Sequence, residues 1–465
     1  MSVLVGAKQM LFDLIERPLN ANAYGDKPFT FLDQAAQNDL GNIAAIGLIE
    51  NGDRIACENW QKRQLTNLLR HAHSKSKFWR QRMPSRMINH GVLKFLPVQS
   101  RQDVAAQVQH EGPLTPNDAT SQAYASTGST GTPVKVYVTR QNAYYNDIRS
   151  VAQYFFDGLR FEYNFVKIKP GVNVDKMDRK FVATKLSASW IGNLAKLFRN
   201  GSFKDIQYYH DQRGLIEVLT KDQVDYLVSP SRYVELLLND GGLALIEKLG
   251  IKLWLHVSDY RNPEVVDALK SIGVPSLSNY SAAELGPIAY ECVKCPGHFH
   301  VAHSNVIVEC DEETRAEYDD LILGRLLVTH LHSYATPIIR YDIGDFGKLE
   351  QTCPCGHDGP VISNVFGRGK HFLRHPNGKL IPFYVSTRVL LSAANFKECR
   401  VRQPKIDTIV VEVGGREELT TEEQTKLKAV IVKATDPAFK VEIKPVAEID
   451  WGTNPKRLFF SSAVA

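Results

Sequence analysis

A short run of hydroxyl-bearing residues and glycines is the first candidate for chemistry. Residues 124–133 read YASTGSTGTP, and the positions that could contact a phosphate are Ser126, Thr127, Gly128, Ser129, Thr130 and Gly131. Glycines permit a positive φ and let backbone N–H groups converge on an anion, while hydroxyls donate hydrogen bonds to phosphate oxygens. The Gly-Lys-Ser/Thr step of a Walker loop is missing. The run predicts a phosphate-cradling loop in a nucleotide enzyme, and the alternative interpretation is a flexible linker.

Two short groups of cysteines and histidines form the second candidate. Residues 292–300 read CVKCPGHFH and residues 353–357 read CPCGH. Paired thiolates at short spacing, with histidines nearby, are the ligands that tetrahedral zinc prefers. The sequence therefore predicts a structural zinc knuckle within 292–355, and free buried thiols are the alternative. The odd total of seven cysteines favours metal ligation in a reducing compartment over a disulfide framework.

The composition bounds the scaffold that must position these residues. The chain has 465 residues, 43% hydrophobic and 23% charged, which predicts a substantial core in about three domain-sized units, or in one large and one small unit. The net charge of +5, from 56 basic and 51 acidic residues, is too balanced to indicate a nucleic-acid partner. The sequence contains neither a signal-like leader nor an apolar stretch of bilayer length. We expect a cytoplasmic protein with no nucleic-acid or membrane partner.

Periodicity indicates how the chain is organised. Residues 57–110 show helical spacing, and from about 140 to 280 helical patterns alternate with short apolar runs. That alternation predicts a mostly parallel sheet covered by helices, with ligand-binding loops at the carboxyl ends of its strands. We expect an α/β fold with a large N-terminal domain of mixed sheets and helices over 1–366. A small α+β domain is expected over 367–465, after a glycine-containing linker.

Four motifs in a fixed order carry a family resemblance. They are the loop at 126–133, NYSAAELG at 279–286, IRYDIGD at 339–345, and the pair at 367–368 followed by GKLIP at 378–382. Over most of residues 60–465 the chain resembles the adenylate-forming superfamily, and its phenylacetate–CoA ligase branch in particular. The resemblance implies ATP- and Mg²⁺-dependent adenylation of a carboxylic acid. The active site would lie between the large domain and a mobile C-terminal lid.

The resemblance assigns roles in an ATP site to residues of the large domain. Tyr280 matches an aromatic ring that stacks on adenine, with Asn279 and Ser281 beside it. Glu284 matches a carboxylate that helps to hold Mg²⁺, and Asp345 matches one that accepts hydrogen bonds from the ribose hydroxyls. The ordinary alternatives are a packing tyrosine, a solvated carboxylate at a helix start and a turn aspartate, respectively.

Two cationic residues also take their roles from the resemblance. Arg368 matches an arginine near the ribose and phosphates, just before the hinge, and Lys456 matches the lysine of the mobile lid. A carboxylate that attacks the α-phosphate develops negative charge on a crowded phosphorus. Mg²⁺ and a cation such as Lys456 would stabilise that charge. An ordinary surface lysine is the alternative interpretation of Lys456.

The same branch implies a ligand set for the zinc. Some of its members carry a structural site with one cysteine, one histidine and a Cys-x-Cys pair. By that resemblance the ligands are Cys292, His300, Cys353 and Cys355. Either Cys295 or His298 could replace one of them, and the sequence leaves that choice open.

The substrate and the acceptor follow only from the branch. The resemblance implies an aryl or arylacetic acid and a thiol acceptor, either coenzyme A or a carrier protein. The residues after Arg368 read GKH in place of the usual acidic hinge, which motivates transfer to an amine as an alternative. Ala283, where many relatives carry a hydroxyl, motivates a second alternative, a catalytically weakened nucleotide-binding scaffold. The first sixty residues fit either a packing arm or a homodimer contact.

Overall fold

The structure is a computed structural model of the chain. It describes residues 34–51, 54–88, 93–116, 120–125, 134–171, 181–191, 195, 198–209, 211–258, 261–318, 321–366, 372–383, 385, 387–451 and 459–464. Among the described helices, none combines the length and the apolar character needed to cross a membrane.

Helices and strands alternate along much of the described chain, as the periodicity predicts. The helices are α1 (Gln34–Asn51), α2 (Arg54–Lys75), α3 (Lys77–Arg82), α4 (Ser85–Ile88), α5 (Arg101–Glu111), α6 (Arg140–Phe156), α7 (Gln212–Thr220), α8 (Ser231–Leu249), α9 (Pro263–Ser271), α10 (Thr387–Ala393) and α11 (Thr421–Ala434), with a 3-10 turn at Leu93–Phe95. The first ten strands are β1 (Thr120–Ala125), β2 (Lys135–Thr139), β3 (Phe165–Pro170), β4 (Phe181–Ser187), β5 (Phe203–Tyr209), β6 (Tyr226–Ser229), β7 (Leu253–His256), β8 (Ser276–Ala282), β9 (Gly286–Glu291) and β10 (His298–Val301). The others are β11 (Val306–Tyr318), β12 (Leu321–His330), β13 (Tyr341–Thr352), β14 (Asp358–Phe366), β15 (Phe372–Arg374), β16 (Leu380–Pro382), β17 (Glu398–Lys405), β18 (Thr408–Gly414), β19 (Lys440–Val446) and β20 (Phe460–Ser462).

A twelve-stranded sheet forms the main body of the fold, in the order β11-β12-β13-β14-β10-β9-β8-β7-β6-β3-β5-β4. Five neighbouring strands pair in parallel, namely β8, β7, β6, β3 and β5. At one edge, β4 pairs antiparallel with β5. On the other side of β8, the pairing is antiparallel through β9, β10, β14, β13, β12 and β11. The expected α/β class, with a mostly parallel sheet over 140–280, is confirmed. The antiparallel half contains the longest strands, since β11 to β14 have 13, 10, 12 and 9 residues.

Strand β8 joins the two halves of the sheet. Its residues 276–278 pair with parallel β7, and its residues 279–282 pair with antiparallel β9. The second part of β8 therefore extends past the carboxyl end of β7, where ligand sites of parallel sheets lie.

Helices cover both faces of the parallel strands, which explains why β6 and β7 are buried throughout. Val166 and Ile168 of β3 pack on one face, in a cluster with Trp254 and residues of α7 and α8. Phe165 lies on the other face, against Val228 and other apolar residues. Alternation along β3 therefore places Lys167 on the same face as Phe165.

The C-terminal residues form a separate sheet, in the order β19-β18-β17-β20. It has its own hydrophobic cluster, in which Val411 of β18 and Leu427 of α11 are fully buried. A capping box between Thr420 and Glu423 begins α11. The α+β character expected for this part is confirmed, and the boundary after residue 366 stays a prediction.

Candidate active site

A cavity of about 370 Å³ lies between α6 and the carboxyl ends of the parallel strands. Helix α6 contributes Asn146, Ser150 and Tyr154, which are spaced four residues apart and so share one face of the helix. The sheet contributes Lys167 from β3, and β8 contributes residues 279–282. The cavity has a size typical of small-molecule sites.

The turn between β8 and β9 places Glu284 at this cavity. Residues 283–285 form a three-residue hairpin loop, which Gly286 closes with φ of +70°. A side chain at Gly286 would collide with Asn146, because an added Cβ would lie 2.9 Å from Asn146 Nδ2. The loop turns Glu284 inward, where the residue is 3% exposed. The interpretation of Glu284 as a solvated carboxylate at a helix start is therefore wrong.

Two tyrosine–carboxylate hydrogen bonds connect this turn and β8 to β13. The Tyr280 hydroxyl donates to Asp345 Oδ2 at 2.7 Å, and the Tyr341 hydroxyl donates to Glu284 Oε1 at 3.0 Å. Because three strands separate β13 from β8 in the sheet, a flat sheet would hold them about 19 Å apart. The antiparallel half must therefore curl back, and the curl brings the sequence-predicted Tyr280, Glu284 and Asp345 together.

Alternation along β13 explains which of its side chains reach the site. Tyr341 and Asp345 lie four residues apart on one buried face, so Asp345 is a strand residue rather than a turn residue. Asp342 faces the other way and accepts a hydrogen bond from Arg325 at 3.1 Å. Arg101 of α5 adds a positive charge near the site, with its NH1 3.9 Å from Glu284 Oε1.

Burial perturbs several ionisable groups around α6. It raises the pKa of Tyr154 to about 12 and that of Asp157, at the end of the helix, to about 7. Burial also lowers the pKa of Lys167, a trend that nearby Asp205 partly opposes. His330, which lines the cavity beside α6, has a pKa well below its usual value because it is fully enclosed. The protein interior therefore favours the neutral form of each of these groups.

The remaining nucleotide-site predictions lie outside the described residues. They are the loop positions Ser126, Thr127, Gly128, Ser129, Thr130 and Gly131, together with Arg368 and Lys456. Strands β1 and β2, which flank the loop, pair antiparallel up to Ala125 and Lys135. The two ends of the loop are therefore adjacent, and Val138 of β2 lines the cavity.

The predicted metal ligands converge where the β9–β10 connection meets the β13–β14 connection. The donor atoms of Cys292, His300, Cys353 and Cys355 all lie within 4.8 Å of one another. Three thiols and one imidazole form a ligand set of structural zinc sites, whose bond lengths of about 2.0–2.3 Å match such a cluster. Burial lowers the pKa of His300 to about 4, which keeps its imidazole in the neutral form that binds metals. The residues present therefore fit a zinc ion.

The structure also separates the predicted ligands from their possible replacements. Cys295 packs beside the cluster but is not among the four converging donors. His298 lies elsewhere, with its Nε2 4.0 Å from Glu350 Oε2. Within the described chain, the geometry therefore favours the set with one histidine and three cysteines.

Sequence reasoning missed several residues at the cavity. Tyr341, which orients Glu284, depends on the curl of the sheet and has no local signal. The face of α6 formed by Asn146, Ser150 and Tyr154 does have one, namely polar residues at a spacing of four within an amphipathic helix. Lys167, in the strand sequence FVKIKP, has no such signal, because the strand pattern does not show which face a helix covers.

Comparisons with known sequences give one partial match. No protein-family model matches the chain. Protein CapK of Staphylococcus aureus is 26% identical over 148 residues, which make up 31% of this chain and 31% of that protein. The match thus spans about a third of the length of this curated relative.

Similarity to solved structures extends over most of the chain. 2-Hydroxyisobutyryl-CoA ligase in the postadenylation state, in complex with 2-HIB-AMP, covers 87% of this chain with 89% of its own, at a TM-score of 0.62 and 14% identity. The same ligase in complex with R3-HIB-AMP gives a TM-score of 0.61 at 15% identity, covering 87% of this chain and 90% of its own. The chain therefore has the fold of the adenylate-forming acyl-CoA ligases.

Proposed function

We propose that this protein activates a carboxylic acid with ATP and Mg²⁺ and then transfers the acyl group to coenzyme A. The first step would form an acyl-AMP and release pyrophosphate, and the second would form a thioester. The observation that carries the proposal is the pairing of Tyr280 with Asp345 next to the buried Glu284, at the mouth of one cavity. The solved ligase of the same fold has structures in complex with 2-HIB-AMP and CoA, which supports this order of events.

The Tyr280–Asp345 pair would bind the nucleoside. Asp345 is 7% exposed and uses one carboxylate oxygen to accept from Tyr280. A carboxylate has about four acceptor positions, so accepting from Tyr280 does not prevent Asp345 from also accepting from ribose hydroxyls. The hydrogen bond fixes the edge of the Tyr280 ring, and its face would stack on adenine with Asn279 and Ser281 beside it.

Glu284 would hold the metal that accompanies ATP. Mg²⁺ prefers carboxylate and phosphate oxygens, and it would neutralise charge on the triphosphate. Tyr341 fixes one oxygen of Glu284, which orients the carboxylate before the nucleotide arrives. The nearby Arg101 would balance the charge of Glu284 while the metal is absent.

The predictions outside the described residues complete the proposed machinery. The loop with Ser126, Thr127, Gly128, Ser129, Thr130 and Gly131 would close over the β- and γ-phosphates. Arg368 would contact the ribose and phosphates, and Lys456 would stabilise charge at the α-phosphate. Residues 367–465 would act as a lid over the domain formed by 1–366.

The cysteine cluster would hold a structural zinc ion. Its four protein ligands fill a tetrahedral site, so no position remains for substrate. The ion would fix the β9–β10 and β13–β14 connections relative to each other. Glu284 lies just before β9, and Asp345 lies on β13. By linking the two connections, the ion would therefore stabilise the curled sheet that brings these carboxylates together.

Pyrophosphate release tests the first step. The assay presents ATP and Mg²⁺ with a panel of aliphatic, aryl and amino acids, and Glu284→Gln serves as the control variant. We expect release with one class of acid, and we expect the variant to lose it. No release from any acid would reject the function and favour a nucleotide-binding scaffold.

The acceptor is tested separately. Coenzyme A, a phosphopantetheinyl carrier protein and a simple amine are each added to the acid that gives the fastest release. We expect acyl-CoA as the product. A product formed only with the carrier protein or the amine would leave adenylation intact and reject the CoA step.

A further inference from the structure

A lysine of β3, Lys167, lines the cavity opposite the α6 face. The face of α6 that lines the cavity begins at Asn146, which touches Gly286 next to the Glu284 turn. It ends at Tyr154, which packs against Phe165 of β3. At a rise of 1.5 Å per residue, these ends are about 12 Å apart. Strand β3 begins next to the C-terminal end of α6 and runs antiparallel to it. Lys167, two residues after Phe165 and on the same face of β3, therefore lies about 7 Å from the Tyr154 end, at the level of Ser150.

One wall of the cavity beside Lys167 is apolar. The cavity wall next to it includes Phe165, Val228 and Val257. Much of the Lys167 surface is open to the cavity, whereas enclosure by surrounding protein lowers the pKa of its ammonium group. An unpaired ammonium group among apolar side chains is costly, and an anionic partner would offset that cost.

The nearest carboxylate is already engaged by another lysine. Asp205 of β5 lies opposite Lys167 in the strand register, and it accepts a hydrogen bond from Lys169 at 2.6 Å. Lys185 of β4 lies opposite Asp205 on its other side. Within the described residues, several lysines thus surround one carboxylate, and Lys167 makes no salt bridge of its own. Asp205 only partly offsets the lysines around it, so this face of the described sheet keeps a net positive charge next to the cavity.

We infer that the acid activated by this protein carries a second anionic group, which Lys167 binds on the β3 side of the cavity. The inference rests on the proposed function, because the first carboxylate would lie at the Glu284 end, where it is adenylated. The second group would pair with the Lys167 ammonium by a charge-assisted hydrogen bond. The substrate class is therefore a short dicarboxylic acid or an acid of similar length with another anionic substituent.

Matched pairs of acids test this inference in the pyrophosphate assay. Glutarate is compared with pentanoate, and 4-carboxyphenylacetate is compared with phenylacetate, each as the ratio of kcat/KM values. A hydrogen bond between charged groups corresponds to a preference of about 10- to 100-fold. We expect the wild-type protein to prefer the diacid of at least one pair by that factor.

Three variants separate the contribution of Lys167 from general effects. Lys167→Met should lower the diacid preference by about 10- to 100-fold, whereas Lys167→Arg, which keeps the charge, should retain most of it. Lys185→Met removes one positive charge from the neighbouring edge of the sheet and should leave the preference within about twofold, because Lys185 does not line the cavity. If Lys167→Met does not fold, the wild-type preference and the Lys167→Arg result decide the question.

The outcomes distinguish this inference from the proposed function. Pyrophosphate release with the monoacids and no diacid preference in the wild-type protein would overturn the role of Lys167 and leave adenylation standing. A diacid preference that Lys167→Met does not change would also overturn it. Absence of release with every acid would reject the adenylation itself, and this inference with it.

Discussion

Replacing Glu284 by glutamine separates the charge of this side chain from its shape. Glutamine has nearly the same volume, and its carbonyl oxygen can still accept the hydrogen bond from Tyr341 that Glu284 accepts at 3.0 Å. No cavity is created at this buried position. The contact with Arg101 is long, at 3.9 Å, so its loss should change the free energy of unfolding by less than about 1 kcal/mol. The variant should therefore melt close to the wild-type protein.

The effect on activity should be much larger than the effect on stability. The proposed Mg²⁺ stabilises developing charge by several kcal/mol, and a neutral amide is a far poorer ligand for it than a carboxylate. A loss of about 3–4 kcal/mol of transition-state stabilisation corresponds to a rate reduction of about 100- to 1000-fold. High Mg²⁺ concentrations should restore part of the rate, because the weakened site can then be filled by mass action.

The assay is pyrophosphate release measured over a titration of Mg²⁺. Tyr341→Phe is the matched control, since it removes only the hydroxyl that orients Glu284 and leaves the charge. It should lower the rate by about tenfold, the value of one hydrogen bond to a charged group. A Glu284→Gln protein within threefold of the wild-type rate at every Mg²⁺ concentration would refute the assignment of Glu284 as a metal ligand.

Three further predictions concern other parts of the structure. Tyr280→Phe should raise the KM for ATP by about tenfold with little change in kcat, because it removes the hydrogen bond that fixes Asp345; an unchanged KM would contradict the nucleoside site. Elemental analysis should find one zinc ion per chain, and both chelation and Cys353→Ser should lower the melting temperature; a metal-free protein of equal stability would exclude the ion. Burial raises the pKa of Asp157 from 3.8 in the unfolded chain to about 7 in the fold, so its contribution to stability worsens as the pH rises from about 4 to 7. Asp157→Asn should therefore raise the melting temperature more at pH 8 than at pH 5, and an equal gain at both would refute this origin.

The sequence predicted those parts of the fold that depend on local patterns. Alternating apolar runs predicted the parallel strands over 140–280. Short Cys and His spacings, read with the family resemblance, predicted a metal-ligand set that the structure brings within 4.8 Å. Each of these signals is contained in a few neighbouring residues.

The contacts that complete the site depend on long-range geometry. Tyr341 meets Glu284, 57 residues away in sequence, only because the antiparallel half of the sheet curls back. Asp342, next to Tyr341 in the same motif, points away from Glu284 and pairs with Arg325. Lys167 could be read as an exposed strand residue until α6 was placed over it. No local pattern specifies which of two strand faces a distant element will cover.

The cavity-lining face of α6 and the side chains proposed to bind ATP belong to different elements of the fold. The cavity-lining residues of α6 follow one another at steps of about 6 Å along the cavity, and they are Asn146, Ser150 and Tyr154. A larger side chain at Ser150 or Tyr154 would shorten the space for the proposed acid, while the side chains proposed to bind the nucleotide stay on β8 and β13. Acid length can therefore change by single substitutions on a helix that carries none of the proposed ATP contacts. A protein with this arrangement can change its acid substrate while its proposed ATP-binding residues stay the same.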